Sequence, residues 1–98
     1  MKAINNILIN KISVKNMRSA RGTTVANQFI ITTEHGVMFR SYESNIAFIP
    51  NDEKTIYLGA DWNYSTTTAK YRNQFLGLDK KEIEARIKDG RAVIVEAM

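Results

Sequence analysis

Apolar and polar residues alternate along two stretches in the middle of the chain, and the alternation predicts two β-hairpins. Residues 25–33 follow a period of two and are rich in β-branched and aromatic side chains, which is typical of a strand. The tripeptide Glu34-His35-Gly36 is a turn signal, and residues 37–42 read as the partner strand. We therefore predict a hairpin over residues 25–42, in which Gly36 supplies a positive φ angle.

The second hairpin is predicted over residues 45–58. The run of residues 45–49, apolar from Ile46 onwards, stops at Pro50, and a polar loop covers residues 51–54. Residues 55–58 then return as a β-branched and apolar strand.

The first 18 residues allow two interpretations. Ile4, Ile7 and Leu8 fit a helical stripe, whereas Val14 and the other β-branched residues favour a strand. We expect a strand in this part of the chain.

The hydrophobic period lengthens after residue 64, which predicts helices over about residues 65–76 and 80–89. Ser65 is suited to cap the first helix. Asp79 and Glu82 have the spacing of a capping box for the second, because each can accept a hydrogen bond from the other's backbone N–H.

Residues 92–96 read as a final strand, so strands dominate the first part of the chain and helices the second. This order predicts an α+β fold. We expect an antiparallel sheet of four to six strands with the two short helices on one face.

Composition sets the class of protein. The 98 residues are 44% hydrophobic and 24% charged, which is typical of one globular domain spanning residues 1–98, with residues 1–10 as a disordered or additional N-terminal element. The chain has no cysteine, and its longest apolar runs are far shorter than a membrane span. We expect a soluble, cytoplasmic protein without a secretion signal.

Positive charge is concentrated near the N-terminus. The formal net charge is +4, and the first 24 residues hold five basic side chains and no acidic one. These are Lys2, Lys11, Lys15, Arg18 and Arg21. Such a cluster could bind nucleic acid or an acidic protein surface, because clustered cations attract polyanions. The alternative is a solvated edge without a partner.

The chain has few candidate catalytic or metal-ligating residues. His35 is the single histidine and lies in a predicted turn, so the sequence offers neither a triad nor a set of metal ligands. Asp52 and Glu53 are adjacent in a predicted loop, which favours a turn over a catalytic pair. We expect no cofactor, no metal and no enzymatic activity.

A run from residue 61 to residue 75 combines aromatic, basic and amide side chains. Trp62 could stack on nucleic-acid bases while Lys70 and Arg72 hold phosphates. The alternative is that Tyr64, Tyr71 and Phe75 form the buried stripe of an amphipathic helix.

A second candidate contact is the basic loop of residues 17–22, which could be a contact arm or a plain connection. Together the two segments predict one set of partner-binding residues. These are Lys15, Arg18, Arg21, Trp62, Lys70, Arg72 and Asn73.

Four short segments carry a resemblance to a known group of proteins. They read Val-Ala-Asn-Gln-Phe at residues 25–29, Phe-Arg-Ser-Tyr at 39–42, Ile-Ala-Phe at 46–48 and Tyr-Arg-Asn-Gln-Phe-Leu-Gly at 71–77. With these, the chain resembles a family of small, uncharacterised bacteriophage proteins over roughly residues 12–90. It departs from the family by an N-terminal extension, residues 1–10.

The resemblance implies no activity, and no residue inherits a role from it. By analogy with other small phage proteins, it implies an inhibitor that binds a host protein or nucleoprotein complex in the infected bacterium, of the anti-CRISPR or another anti-defence type. Direct nucleic-acid binding is the second hypothesis. A self-assembling virion accessory that pairs exposed strand edges is the third.

Overall fold

The computed structural model describes residues 12–98, so the expectations for residues 1–11 lie outside the described part of the chain. The described residues form six strands and two helices. The strands are β1 (Ser13–Arg18), β2 (Thr24–Thr33), β3 (Gly36–Ser41), β4 (Ser44–Pro50), β5 (Ile56–Gly59) and β6 (Ala92–Val95), and the helices are α1 (Thr66–Leu76) and α2 (Lys80–Asp89). The α+β class, both hairpins, both helices and the final strand are confirmed.

The strands form one sheet in which spatial order equals chain order, β1-β2-β3-β4-β5-β6. The first five strands pair antiparallel, but β5 and β6 pair parallel. The sheet is therefore mixed, whereas the sequence predicts an antiparallel one. The reason is the connection. The chain leaves the end of β5, passes through both helices and re-enters the sheet from the opposite end.

Gly36 stands at a crowded place in the first hairpin. Its φ angle is 155°, positive as predicted. Space is the tighter constraint, because a Cβ atom here would lie against the carbonyl oxygen of Ile49 and 2.8 Å from the Cα atom of Pro50. Only glycine lets β3 and β4 approach this closely.

Side chains cap both helices as the sequence predicts. The Ser65 hydroxyl accepts a hydrogen bond from the backbone N–H of Thr68, 3.1 Å away, at the start of α1. At the start of α2, the Asp79 carboxylate accepts from the Glu82 N–H at 2.8 Å, and the Glu82 carboxylate accepts from the Asp79 N–H at 3.1 Å. These caps satisfy N–H groups that the helices cannot pair internally.

Both helices lie on one face of the sheet. The ring centroids of Phe39 in β3 and Phe75 in α1 are 5.7 Å apart, and Ile83 of α2 joins the same buried cluster. A register shift in the β3–β4 pair allows both Ile46 and Ala47 to be buried on adjacent positions. The buried apolar residues are Met17, Phe39, Ile46, Ala47, Ile56, Leu58, Tyr71, Ile83 and Ala92.

We predict that Phe39→Ala lowers the free energy of unfolding by about 3 to 5 kcal/mol, because it opens a cavity beneath α1. Val14→Ala is the control, since Val14 is 60% exposed, and it should cost less than about 1 kcal/mol. Urea unfolding followed by circular dichroism measures both. Equal losses in the two variants would contradict the packing described here.

Candidate functional site

Three connections lie at one end of the sheet. Residues 19–23 follow β1, residues 42–43 join β3 to β4, and residues 60–65 follow β5. The Ser44 hydroxyl donates a hydrogen bond to the Asp61 carboxylate at 2.9 Å, which ties the second connection to the third.

The basic loop predicted over residues 17–22 is shorter in the structure, because residues 17 and 18 belong to β1. The connection of residues 19–23 is a closed turn. The Ser19 N–H donates to the Thr23 carbonyl at 2.8 Å, and the Gly22 N–H donates to the Ser19 carbonyl at 2.9 Å. The Arg18 guanidinium donates to the Gly22 carbonyl at 2.9 Å and braces the same turn. Arg21 is therefore presented to solvent from a hydrogen-bonded loop.

A long-range hydrogen bond joins helix α1 to the end of β1, between residues 56 positions apart in the sequence. The Gln74 side-chain amide donates to the Arg18 carbonyl at 2.8 Å. Lys70 lies one helical turn before Gln74 and shares its face of α1. The structure therefore brings Arg18, Arg21 and Lys70, three of the predicted residues, to one region.

Lys15 lies two residues before buried Met17 on the helix-bearing face of β1, and it is exposed. We call Lys15, Arg18, Arg21 and Lys70 the basic surface. All four side chains are exposed. Within residues 12–98 the ion pairs are Glu34 with His35 and Asp89 with Arg91, so none of the four cations is paired with an acid.

Arg72 is placed differently from the other predicted cations, because it is only 1% exposed. Its guanidinium donates to the Trp62 carbonyl at 2.9 Å, to the Asn63 side-chain oxygen at 3.3 Å and to the Asn73 side-chain oxygen at 2.8 Å. Burial lowers the pKa of Arg72, and the nearby Glu84 carboxylate opposes that effect. Its donors are used inside the protein and are not available to a phosphate.

Trp62 and Asn73 are the partners of Arg72. The guanidinium carbon lies 5.2 Å from the centre of the Trp62 ring, a cation–π arrangement. Asn73 accepts two hydrogen bonds from Arg72, and its carbonyl accepts from the Gly77 N–H at the end of α1. Trp62, Arg72 and Asn73 thus hold the 60–65 connection against α1, and we leave them out of the basic surface.

The aromatic residues near this end of the sheet fall into a buried group and an exposed group, which the sequence did not predict. Tyr71 is buried and Phe75 packs against the core, as the interpretation as a buried stripe requires. Tyr64 is 69% exposed and is a correction to that stripe, because it precedes the Ser65 cap and lies outside the helix. Tyr42, at 55% exposed, is the other open aromatic residue at this end of the sheet.

A shallow groove of about 540 Å³ runs along the outer side of α2 beside Trp62. Its lining residues are Trp62, Lys81, Glu84, Ala85, Ile87 and Lys88. Four of these lie at helical positions 81, 84, 85 and 88, a spacing that places them on one side of α2. Sequence reasoning therefore missed Lys81 and Lys88 as neighbours of Trp62.

Residues 12–98 show neither a metal site nor a membrane-spanning helix. No group of three or more potential metal ligands occurs in this range. His35 is exposed at the hairpin turn, with its Nε2 atom 3.4 Å from a Glu34 carboxylate oxygen. Neither of the two described helices has the length and apolar character needed to cross a membrane.

A family model described as a family of unknown function (DUF8033) matches residues 12–91. The match includes both helices and the first five strands, and its range is close to that of the resemblance seen in the sequence. No curated protein and no solved structure matches the chain.

We predict that Arg72→Met lowers the free energy of unfolding by about 3 kcal/mol, because buried acceptors lose a charged donor. Lys70→Met makes the same chemical change at an exposed position and should cost less than about 0.5 kcal/mol. The fluorescence of Trp62, the single tryptophan, reports both transitions. Similar unfolding midpoints for the two variants would contradict a structural role for Arg72.

Proposed function

The chain belongs to the DUF8033 family, whose function is unknown, and we propose that it is a non-enzymatic binding protein that inhibits a host protein or nucleoprotein complex. The observation that carries the proposal is the basic surface, in which Lys15, Arg18, Arg21 and Lys70 are exposed and unpaired with acids among the described residues. An acidic surface on the target is the complement it requires.

The surroundings of the basic surface support a role in binding. The Arg18 side chain is braced by the Gly22 carbonyl, and its backbone is joined to α1 through Gln74. Part of the surface is thus ordered before a partner arrives, which lowers the entropy lost on association. Unpaired cations on one region also raise the rate of encounter with an acidic partner.

The phage part of the proposal rests on the sequence resemblance. Small phage proteins often act by covering a surface of the host machinery, and anti-CRISPR and other anti-defence proteins are of this kind. The target would then be a defence complex in the cytoplasm of an infected bacterium. A bound inhibitor needs no catalytic group, only a surface that competes with the natural ligand.

We predict that Arg18→Glu/Arg21→Glu weakens target binding by about 100-fold or more, because like charges then face each other across the interface. The functional assay is plating of a CRISPR-targeted phage on cells that express the chain. The wild-type chain should restore plating and the double variant should not. Circular dichroism establishes that the variant is folded.

The matched control is Lys54→Glu/Lys88→Glu, which makes the same change in net charge outside the basic surface at two exposed residues. This control should restore plating as well as the wild-type chain does. Full activity of the Arg18→Glu/Arg21→Glu variant would remove the basic surface from the proposal. Failure of the wild-type chain against a panel of defence systems would remove the anti-defence function itself.

Direct binding to nucleic acid is the second candidate. The observation that favours it is that Tyr42 and Tyr64, both more than half exposed, lie at the sheet end to which Arg18 belongs. Exposed aromatic rings can stack on unpaired bases while neighbouring cations contact phosphates. These two tyrosines, rather than Trp62, are the residues available for stacking.

We predict for this candidate that the affinity for labelled single-stranded DNA or RNA falls steeply with salt, and that Arg18→Ala/Arg21→Ala lowers the log–log slope by about 1 per cation. Tyr64→Ala should weaken binding to single strands more than binding to duplex, since only unpaired bases can stack on the ring. Absence of any mobility shift at low salt would exclude direct binding and leave the protein target.

A further inference from the structure

A row of apolar side chains crosses all six strands at one register. Each strand contributes one residue, and each of these residues pairs with the next one on the neighbouring strand. From β1 to β6 they are Val14, Ile31, Met38, Phe48, Tyr57 and Val93. The ring centroids of Phe48 and Tyr57, neighbours within the row, are 6.5 Å apart. We call these six residues the apolar row.

The apolar row lies on the face opposite the two helices. Neighbouring residues of a strand point to opposite faces, and Phe39, next to Met38, points into the core beneath α1. The row is exposed at its ends, with Val14 at 60% and Val93 at 42%, and is half-buried between them. Six strands spaced about 4.8 Å apart give it a length of about 24 Å.

The charged side chains that the described strands place on this face have one sign. The strands contain three charged side chains, Lys15, Arg18 and Arg40. Lys15 lies on the helix-bearing face. Arg18 is next to Met17 and Arg40 is next to Phe39, and because Met17 and Phe39 point into the core, the two arginines point to the face of the apolar row. The Arg40 guanidinium donates to the Asn45 side-chain oxygen at 2.8 Å, which holds it beside the row.

Arg18 and Arg40, beside the apolar row, indicate which kind of partner this face binds. A second copy of the chain would bring the same two cations to the interface, and the described strands hold no acidic side chain that could pair with them. An apolar stripe flanked by acidic side chains complements both features of the face. About 16 helical residues, at 1.5 Å per residue, span a row of this length.

We propose that the apolar row is the docking site for an amphipathic helix of a partner protein, whose apolar stripe is flanked by acidic residues. The mode is that of a helix laid on an apolar surface, with the stripe giving affinity and the flanking charges giving orientation. The proposal shares Arg18 with the basic surface, but Arg40 and Val14, which lie outside that surface, carry its test.

The test uses two helical probe peptides of about 16 residues with the same leucine stripe. One carries glutamates beside the stripe and the other carries lysines. Fluorescence anisotropy with the full chain should show at least about tenfold tighter binding of the glutamate peptide. Arg40→Glu should reverse this preference, and Lys54→Glu, outside the sheet face, should leave it unchanged.

Val14→Asp is the second variant, because Val14 is exposed and its change leaves the core intact. It should weaken binding of the glutamate peptide by at least about tenfold. Equal affinity for the two peptides, or binding of neither, would overturn the proposal. A dimer in solution that Val14→Asp dissociates would assign the face to a second copy and overturn it as well.

Discussion

The contact between Phe39 and Phe75 fixes the placement of α1, and much of the molecule depends on it. Phe39 is fully buried at the centre of the sheet, so the helix that covers it must lie across the middle strands. From there α1 reaches Ser41 through Thr68 at one end and the Arg18 carbonyl through Gln74 at the other. This aromatic contact thus sets where Gln74 meets the end of β1. It also keeps α1 on one face of the sheet, so the other face is not covered by it.

Arg72 has a comparable role in the connection between β5 and α1. A buried guanidinium is costly unless its donors are satisfied, and here the Trp62 carbonyl and the Asn63 and Asn73 side chains accept from it. The interaction converts a polar loop into part of the packed structure. An arginine can therefore either contact a phosphate or stabilise the fold through buried hydrogen bonds, and its surroundings determine which of these roles it has.

The sequence predicts the local parts of this fold well. Hairpins, caps and helix ends depend on neighbouring residues, so the Glu34-His35-Gly36 turn and the Asp79 capping box were readable from spacing alone. The parallel β5–β6 pair and the burial of Arg72 depend on contacts between distant segments, which periodicity does not encode. The sequence does not predict the apolar row for the same reason. Six separate strands contribute one residue each, and only the register of the strands aligns them.

The identity of spatial order and chain order in the sheet has a consequence for how the chain folds. Each of the first five strands finds its partner after a connection of five residues or fewer, so β1 to β5 can assemble in succession with little loop-closure entropy. Strand β6 must wait for residues 60–91, with both helices, before it can join β5. Zipping from the N-terminal side, with β6 as the last strand to be added, is the order of assembly that this topology favours.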